Sequence, residues 1–92
     1  MIKTWKNGAT ERFARTGKSK FPGMDADKAL EALNVLASAT SLQSISPLKS
    51  VGLHKLKGGR KGQWAMTING PWRLVFRFSD GDAYDVEIVD YH

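Results

Sequence analysis

The 92-residue sequence contains no cysteine, which closes off disulfide scaffolds and thiolate metal sites and fits a reducing cytoplasm. It also has no apolar run near the roughly 18–20 residues that cross a bilayer, so no membrane role is expected. The opening Met1-Ile2-Lys3-Thr4-Trp5-Lys6 has no apolar stretch behind its charges and does not read as a secretion signal. Histidine is scarce: His54 and His92 stand 38 residues apart, with no spacing that suggests a metal site. Gly-x-Ser-x-Gly, the phosphate-binding P-loop and Gly-x-Gly-x-x-Gly are all missing. A chain this short makes one domain, residues 1–92, with a small core and no room to enclose a large cofactor, so its chemistry is expected on a surface.

Acidic residues are missing over one long stretch. Between Ala32 and Ser79 there is no Asp or Glu, against seven bases: Lys49, Lys55, Lys57, Arg60, Lys61, Arg73 and Arg77. Residues 1–20 carry six more bases and one acid, Glu11. The last thirteen residues reverse the balance, with Asp80, Asp82, Asp85, Glu87 and Asp90 and no base. The net +5 is therefore uneven, and a basic surface of this kind draws a polyanion and contacts its phosphates without regard to sequence. Surplus lysines also serve solubility alone, so charge by itself does not decide between these roles.

The pattern of apolar residues predicts an α+β fold. Ile2 to Lys6 reads as a short strand. Asn7 or Thr10 caps a short helix that carries Ala9 and Phe13 inward and stops at Gly17. Phe21-Pro22-Gly23 is turn chemistry, and Asp25 caps a second helix whose stripe is Ala26, Ala29, Leu30, Leu33, Leu36 and Ala37, ending near Ser38. Ser41 to Gly52 reads as a loop with one helical turn. From Leu53 the period is two. Trp64, Met66 and Ile68 share a face, as do Trp72, Leu74, Phe76 and Phe78, and then Tyr84, Val86 and Ile88.

Hairpin phase adds detail. A three-residue loop Ser79-Asp80-Gly81 sets Phe76 across from Tyr84, Leu74 across from Val86 and Arg73 beside Glu87. A plain Asn69-Gly70 turn would put Met66 opposite Arg73, so the preceding hairpin needs Asn69-Gly70-Pro71 as its loop, or a bulge. The expected result is a curved antiparallel sheet with two N-terminal helices packed on one face. Thr67, Gln63, Arg73 and Arg77 lie on the other.

Cleavage of RNA by its own 2′-hydroxyl needs a base on that hydroxyl, an acid on the leaving 5′-oxygen and cations on the phosphate. Residues able to supply these occur in three places: His54-x-x-Lys57 with Arg60, Arg73 on the open face, and Asp90-Tyr91-His92. Each also has a plain structural role available. Arg73 can pair across strands with Glu87, Lys57 and Arg60 can be a solvated loop, and Tyr91 can be an edge aromatic.

The run Leu53-His54-Lys55-Leu56-Lys57-Gly58-Gly59-Arg60-Lys61-Gly62, then Trp64, Asn69-Gly70-Pro71-Trp72-Arg73-Leu74 and the final Asp90-Tyr91-His92, resembles the HigB branch of the RelE toxin superfamily. The likeness extends to Met1-Ile2-Lys3-Thr4 and the helical region, and so spans essentially the whole chain. The resemblance implies a RelE-like fold and a small cytoplasmic toxin that enters the ribosomal A site and cuts mRNA without a cofactor or metal. It implies a HigA-type helix-turn-helix antitoxin, with operator DNA contacted only through that partner. It makes His54, Asp90, Tyr91 and His92 the acid–base set and Arg73 the stabiliser of the cleaved phosphate. Lys57, Arg60 and Arg77 fall to substrate contact, Arg60 with a structural pair as its other role. Tyr91 shares strand phase with Arg73, whereas Asp90 and His92 have the opposite phase.

Two other readings compete. Proteins resembling ParE share the superfamily fold and act on DNA gyrase without cutting RNA; a relative of that kind has no need of His54 with Asp90-Tyr91-His92. A basic RNA- or ribosome-binding module needs only the cationic surface.

Overall fold

The computed structural model describes residues 1–45 and 52–91. The first helix, α1 (Gly8–Thr16), starts where the Asn7 side chain accepts the Thr10 N–H at 2.9 Å. It ends at Gly17, whose φ of 74 lets its N–H return to the Phe13 carbonyl. Phe13 is fully buried, but Ala9 is exposed, and Thr10 takes the inward place expected of it. The reason is a hydrogen bond: Thr10 Oγ1 accepts the Ile88 N–H at 2.9 Å, so a hydroxyl rather than a methyl is needed there.

The second helix, α2 (Ala26–Ser38), is capped by Asp25, whose carboxylate accepts the Lys28 N–H at 3.1 Å. It buries Ala29, Ala32, Leu33 and Leu36. Ala37 is exposed because it lies about 100° round the helix from Leu36, outside the inward arc. A single 3-10 turn, Leu42–Ser44, capped by Ser41, follows and delivers Ile45 to the core. The rest of the expected loop, through Val51, lies outside the described residues.

Four antiparallel strands form the sheet in chain order: β1 (His54–Lys55), β2 (Trp64–Asn69), β3 (Trp72–Ser79) and β4 (Asp82–Asp90). Between β2 and β3 the register sets Met66 against Leu74 and Thr67 against Arg73, with a bulge between Thr67 and Asn69. The extra residue keeps both apolar rows on one face, as core continuity requires.

The β3–β4 hairpin departs from expectation. Asp80 and Gly81, at φ 50 and 83, form a two-residue turn, so Ser79 pairs with Asp82 and Arg77 with Tyr84. A bulge then intervenes, with Asp85 at φ 52, after which Val75 faces Glu87, Leu74 faces Ile88 and Arg73 faces Val89. The expected pairs Phe76–Tyr84, Leu74–Val86 and Arg73–Glu87 are thus replaced. Tyr84 leaves the core row, where Ala83 sits instead. The physical cause is that short polar Asp tolerates the left-handed backbone, which makes the tighter turn and the later bulge both accessible.

The N-terminal segment pairs with the free edge of β4 in parallel, through bridges Ile2–Ala83 and Trp5–Val86. The Thr4 carbonyl accepts the Val86 N–H at 3.1 Å and Thr4 Oγ1 accepts the Asp85 N–H at 2.8 Å. This strand-like segment and α1 together cover an edge that would otherwise present unpaired amides. The main core lies between the helices and one sheet face, built on Phe13, Leu33, Leu36, Met66, Leu74, Phe76, Val86 and Ile88. The other face carries a smaller apolar cluster of Leu56, Ala65 and Val75, with Val89 against it.

Replacing Thr10 by Val keeps the shape but leaves the Ile88 amide without its acceptor. Thr10→Val is expected to lower unfolding free energy by about 1–3 kcal/mol, read as a shifted urea midpoint at unchanged slope. An unshifted midpoint would show that this bond contributes nothing.

Candidate active site

The open sheet face is built in cross-strand rows. One row runs His54, Ala65, Val75, Glu87, and the next holds Thr67, Arg73 and Val89. Neighbouring strands lie about 4.8 Å apart and adjacent rows about 6.6 Å, so His54 and Arg73, two strands and one row apart, have backbones roughly 12 Å distant. Long side chains span such a gap. His54 is exposed and leans toward the Thr67–Arg73 row: a Cβ built on Gly52 would lie 2.9 Å from Thr67 Oγ1 and 3.9 Å from His54 Nε2. Gly52, at φ 50, thus leaves the space in which these two side chains approach.

Arg73 is half-buried and folds onto its own hairpin, its Nη1 donating to the Gly70 carbonyl at 2.6 Å and the Trp72 carbonyl at 2.9 Å. Among the described residues no carboxylate pairs with it. The same turn holds the end of β4, because the Tyr91 N–H donates to the Pro71 carbonyl at 2.8 Å. The turn itself is anchored to the segment between the helices. Asn69 Oδ1 accepts the Asp25 N–H at 2.7 Å, Asn69 Nδ2 donates to the Gly23 carbonyl at 3.0 Å, and Trp72 Nε1 donates to the Pro22 carbonyl at 3.1 Å. Trp72 also meets Phe21 edge to face at 5.5 Å. One turn therefore positions both Arg73 and Tyr91.

Asp90 is exposed and registers with Trp72, in phase with core residue Ile88 and opposite to Arg73. Strand β4 continues through Asp90, so the phase difference persists, and Asp90 stands at the rim of the open face rather than on it. Tyr91 is exposed beyond it. His92 lies outside the described residues. The structure thus brings Arg73, Asp90 and Tyr91 to one end of the sheet, with His54 leaning toward them from β1.

The other predicted cations are spread out. Lys57 is exposed and, with Lys55, Leu56, Gly58 and Lys61, lines a cavity of about 310 Å³ beside β1. Lys55 lies 6.0 Å from the centre of the Trp64 ring. Arg77 is exposed toward the opposite end of the face from Arg73, 3.6 Å from the Asp85 carboxylate. Arg60 lies mid-face, and its Nη1 donates to Glu87 at 2.9 Å and to Gln63 at 3.3 Å. Glu87 was expected on this face beside Arg73; the observed register sets it opposite Val75, and its partner is Arg60 instead. Among the described residues no group of three or more His, Cys, Asp or Glu comes together to hold a metal ion. What the open face offers is an exposed platform with an arginine and a phenol at one end, a carboxylate at the rim of that end and an imidazole on β1.

The chain has relatives in sequence and in fold. The family described as the RelE-like toxin HigB of type II toxin–antitoxin systems matches residues 3–92. The chain is 36% identical over 93 residues to the endoribonuclease HigB of Proteus vulgaris, covering 100% of each chain. Its fold is similar to the crystal structure of a YafQ mutant from E. coli, with a TM-score of 0.59 at 17% identity over 98% of this chain and 93% of that one.

Gly52→Ala tests the crowding beside His54. A methyl there meets Thr67 Oγ1 and demands a left-handed alanine, so stability is expected to fall by about 1–2 kcal/mol. The His54 imidazole resonances should shift in NMR spectra; unchanged stability and resonances would show that the glycine is dispensable.

Proposed function

The chain belongs to the RelE-like HigB toxins of type II toxin–antitoxin systems, and from that premise we propose that it is an endoribonuclease that cuts translated mRNA on the ribosome and so stops growth. As such a toxin it has an antitoxin protein as partner. In our reading that partner is a HigA-type helix-turn-helix protein through which operator DNA is reached. The site of action is the 30S A site, in the cytoplasm.

The chemistry follows from the side chains available. A general base takes the proton of the RNA 2′-hydroxyl, whose oxygen bonds to the adjacent phosphorus. The bond from phosphorus to the 5′-oxygen breaks, and a general acid protonates that oxygen. The products are a 2′,3′-cyclic phosphate, open to hydrolysis to a 3′-phosphate, and a 5′-hydroxyl. His54, Asp90, Tyr91 and His92 form the acid–base set, and Arg73 meets the charge that builds on the phosphate. Lys57 supports that charge from the β1 side. No cofactor or metal enters the scheme.

The observation that carries this reading is the position of Arg73. It sits on β3 between the strand bearing His54 and the Asp90–Tyr91 end of β4, with no carboxylate partner among the described residues. A guanidinium so placed is available to a phosphate lying across the face. The 36% identity to a relative named an endoribonuclease favours RNA cleavage over a gyrase-directed action on the same fold.

Primer extension on a translated mRNA, with the protein induced or not, tests the class. Cuts should depend on translation and fall by roughly 10²–10⁴ in His54→Ala, Asp90→Asn or His92→Gln, with antitoxin binding retained. Full cleavage by all three variants would overturn the assignment.

Arg73→Ala should lose about 10²–10³ in rate, and Arg77→Ala no more than a fewfold, because a charge aimed at the reacting phosphate outweighs one at the far end. Equal losses would mean that the arginines act only through the general field.

A further inference from the structure

We infer that Arg60 is a positioning residue, holding the Tyr91 ring over the open face by bridging it to the buried Glu87 carboxylate. The turn Gly58–Arg60, entered through Gly58 at φ 65, projects Arg60 across the sheet from the β1–β2 connection. Its Nη1 donates to Glu87 Oε1 at 2.9 Å and to Gln63 Oε1 at 3.3 Å. The Glu87 side chain is only 8% exposed, and that of Arg60 34%. A carboxylate so far from water is tolerated with a cation beside it, and Glu87 stands opposite Val75 of the small apolar cluster rather than out in solvent.

The guanidinium centre also stands 6.0 Å from the centre of the Tyr91 ring, within range of a cation–π contact. Tyr91 is thereby held twice, by its N–H on the Pro71 carbonyl and by its ring on Arg60. Glu87 neutralises Arg60, which makes it a poor phosphate ligand beside Arg73 and Lys57, neither of which pairs with a carboxylate among the described residues. The substrate-contact role that its sequence neighbourhood suggests is thus replaced by an indirect one. This inference rests on Tyr91 taking part in RNA cleavage.

Arg60→Ala, Arg60→Lys and Glu87→Gln are compared with the wild-type chain on programmed ribosomes, measuring kcat and KM, with NMR of each free protein. Lysine keeps the charge and can still pair with Glu87, which guards against loss of folding, but it lacks the planar group that stacks on an aromatic ring. All three variants should lower kcat by roughly tenfold or more with KM within about twofold, since misplacing a group near the reacting atoms costs rate rather than affinity. The double variant Arg60→Ala with Glu87→Gln should be no worse than Arg60→Ala alone. If Arg60 instead bound phosphate, Arg60→Ala would raise KM, Arg60→Lys would be nearly normal and Glu87→Gln would bind RNA more tightly; that pattern overturns the inference. In the wild-type chain, nuclear Overhauser contacts should join Arg60 to the Tyr91 ring, and their absence also overturns it. Contacts present in a wild-type protein that cuts no RNA would leave the positioning intact and remove the ribonuclease reading.

Discussion

Asp85 holds its backbone at φ 52 and so inserts into β4 one residue that has no opposite number on β3. The distortion is anchored from two sides: Thr4 Oγ1 accepts the Asp85 N–H at 2.8 Å, and Arg77 lies 3.6 Å from its carboxylate. Because strand side chains alternate, one extra residue turns over everything that follows it. Ala83 before the bulge and Val86 and Ile88 after it consequently all reach the helix-covered core. Glu87 and Val89 are sent to the open face, where Glu87 meets Arg60 and Val89 packs on Val75. The floor of the candidate site and the phase of Tyr91 both descend from this one backbone distortion.

The same strand explains how the charges sort in space. Its carboxylates are engaged within the fold: Asp82 with the N-terminal amine, Asp85 with Arg77 and Glu87 with Arg60. Lys55, Lys57, Lys61 and Arg73, all from the acid-free stretch, pair with no carboxylate among the described residues. An exposed ion pair adds little stability, but each one removes a negative charge from the field that a polyanion meets.

Both helices were legible from local signals. Asn7, Gly17 and Asp25 act through hydrogen bonds within a few residues of their own position, so their meaning survives without the rest of the fold. The bulge before Asn69 was legible too, because Met66 opposite Arg73 would have buried a charge. The β3–β4 register was not. Ser79-Asp80-Gly81 fits both a three-residue and a two-residue turn, and the choice depends on Thr4, some eighty residues away, supporting the left-handed Asp85. Ala9 was misplaced for a similar reason, since the need for an acceptor at Thr10 arises only once Ile88 lies beside it.

Composition and spacing alone determined the α+β class, the two helices, the strand faces of β2 and β3, the basic middle of the chain and the set of residue types able to move protons around a phosphate. These are properties of neighbours in the chain, and local periodicity encodes them. Tertiary structure decided that Arg73 faces Val89 rather than an acid, that Arg60 is held by Glu87 and lies beside Tyr91, and that Gly52 opens the space beside His54. Each of these rests on which residues from distant parts of the chain come opposite one another. A single inserted residue changes that answer while leaving the local pattern of the sequence almost untouched.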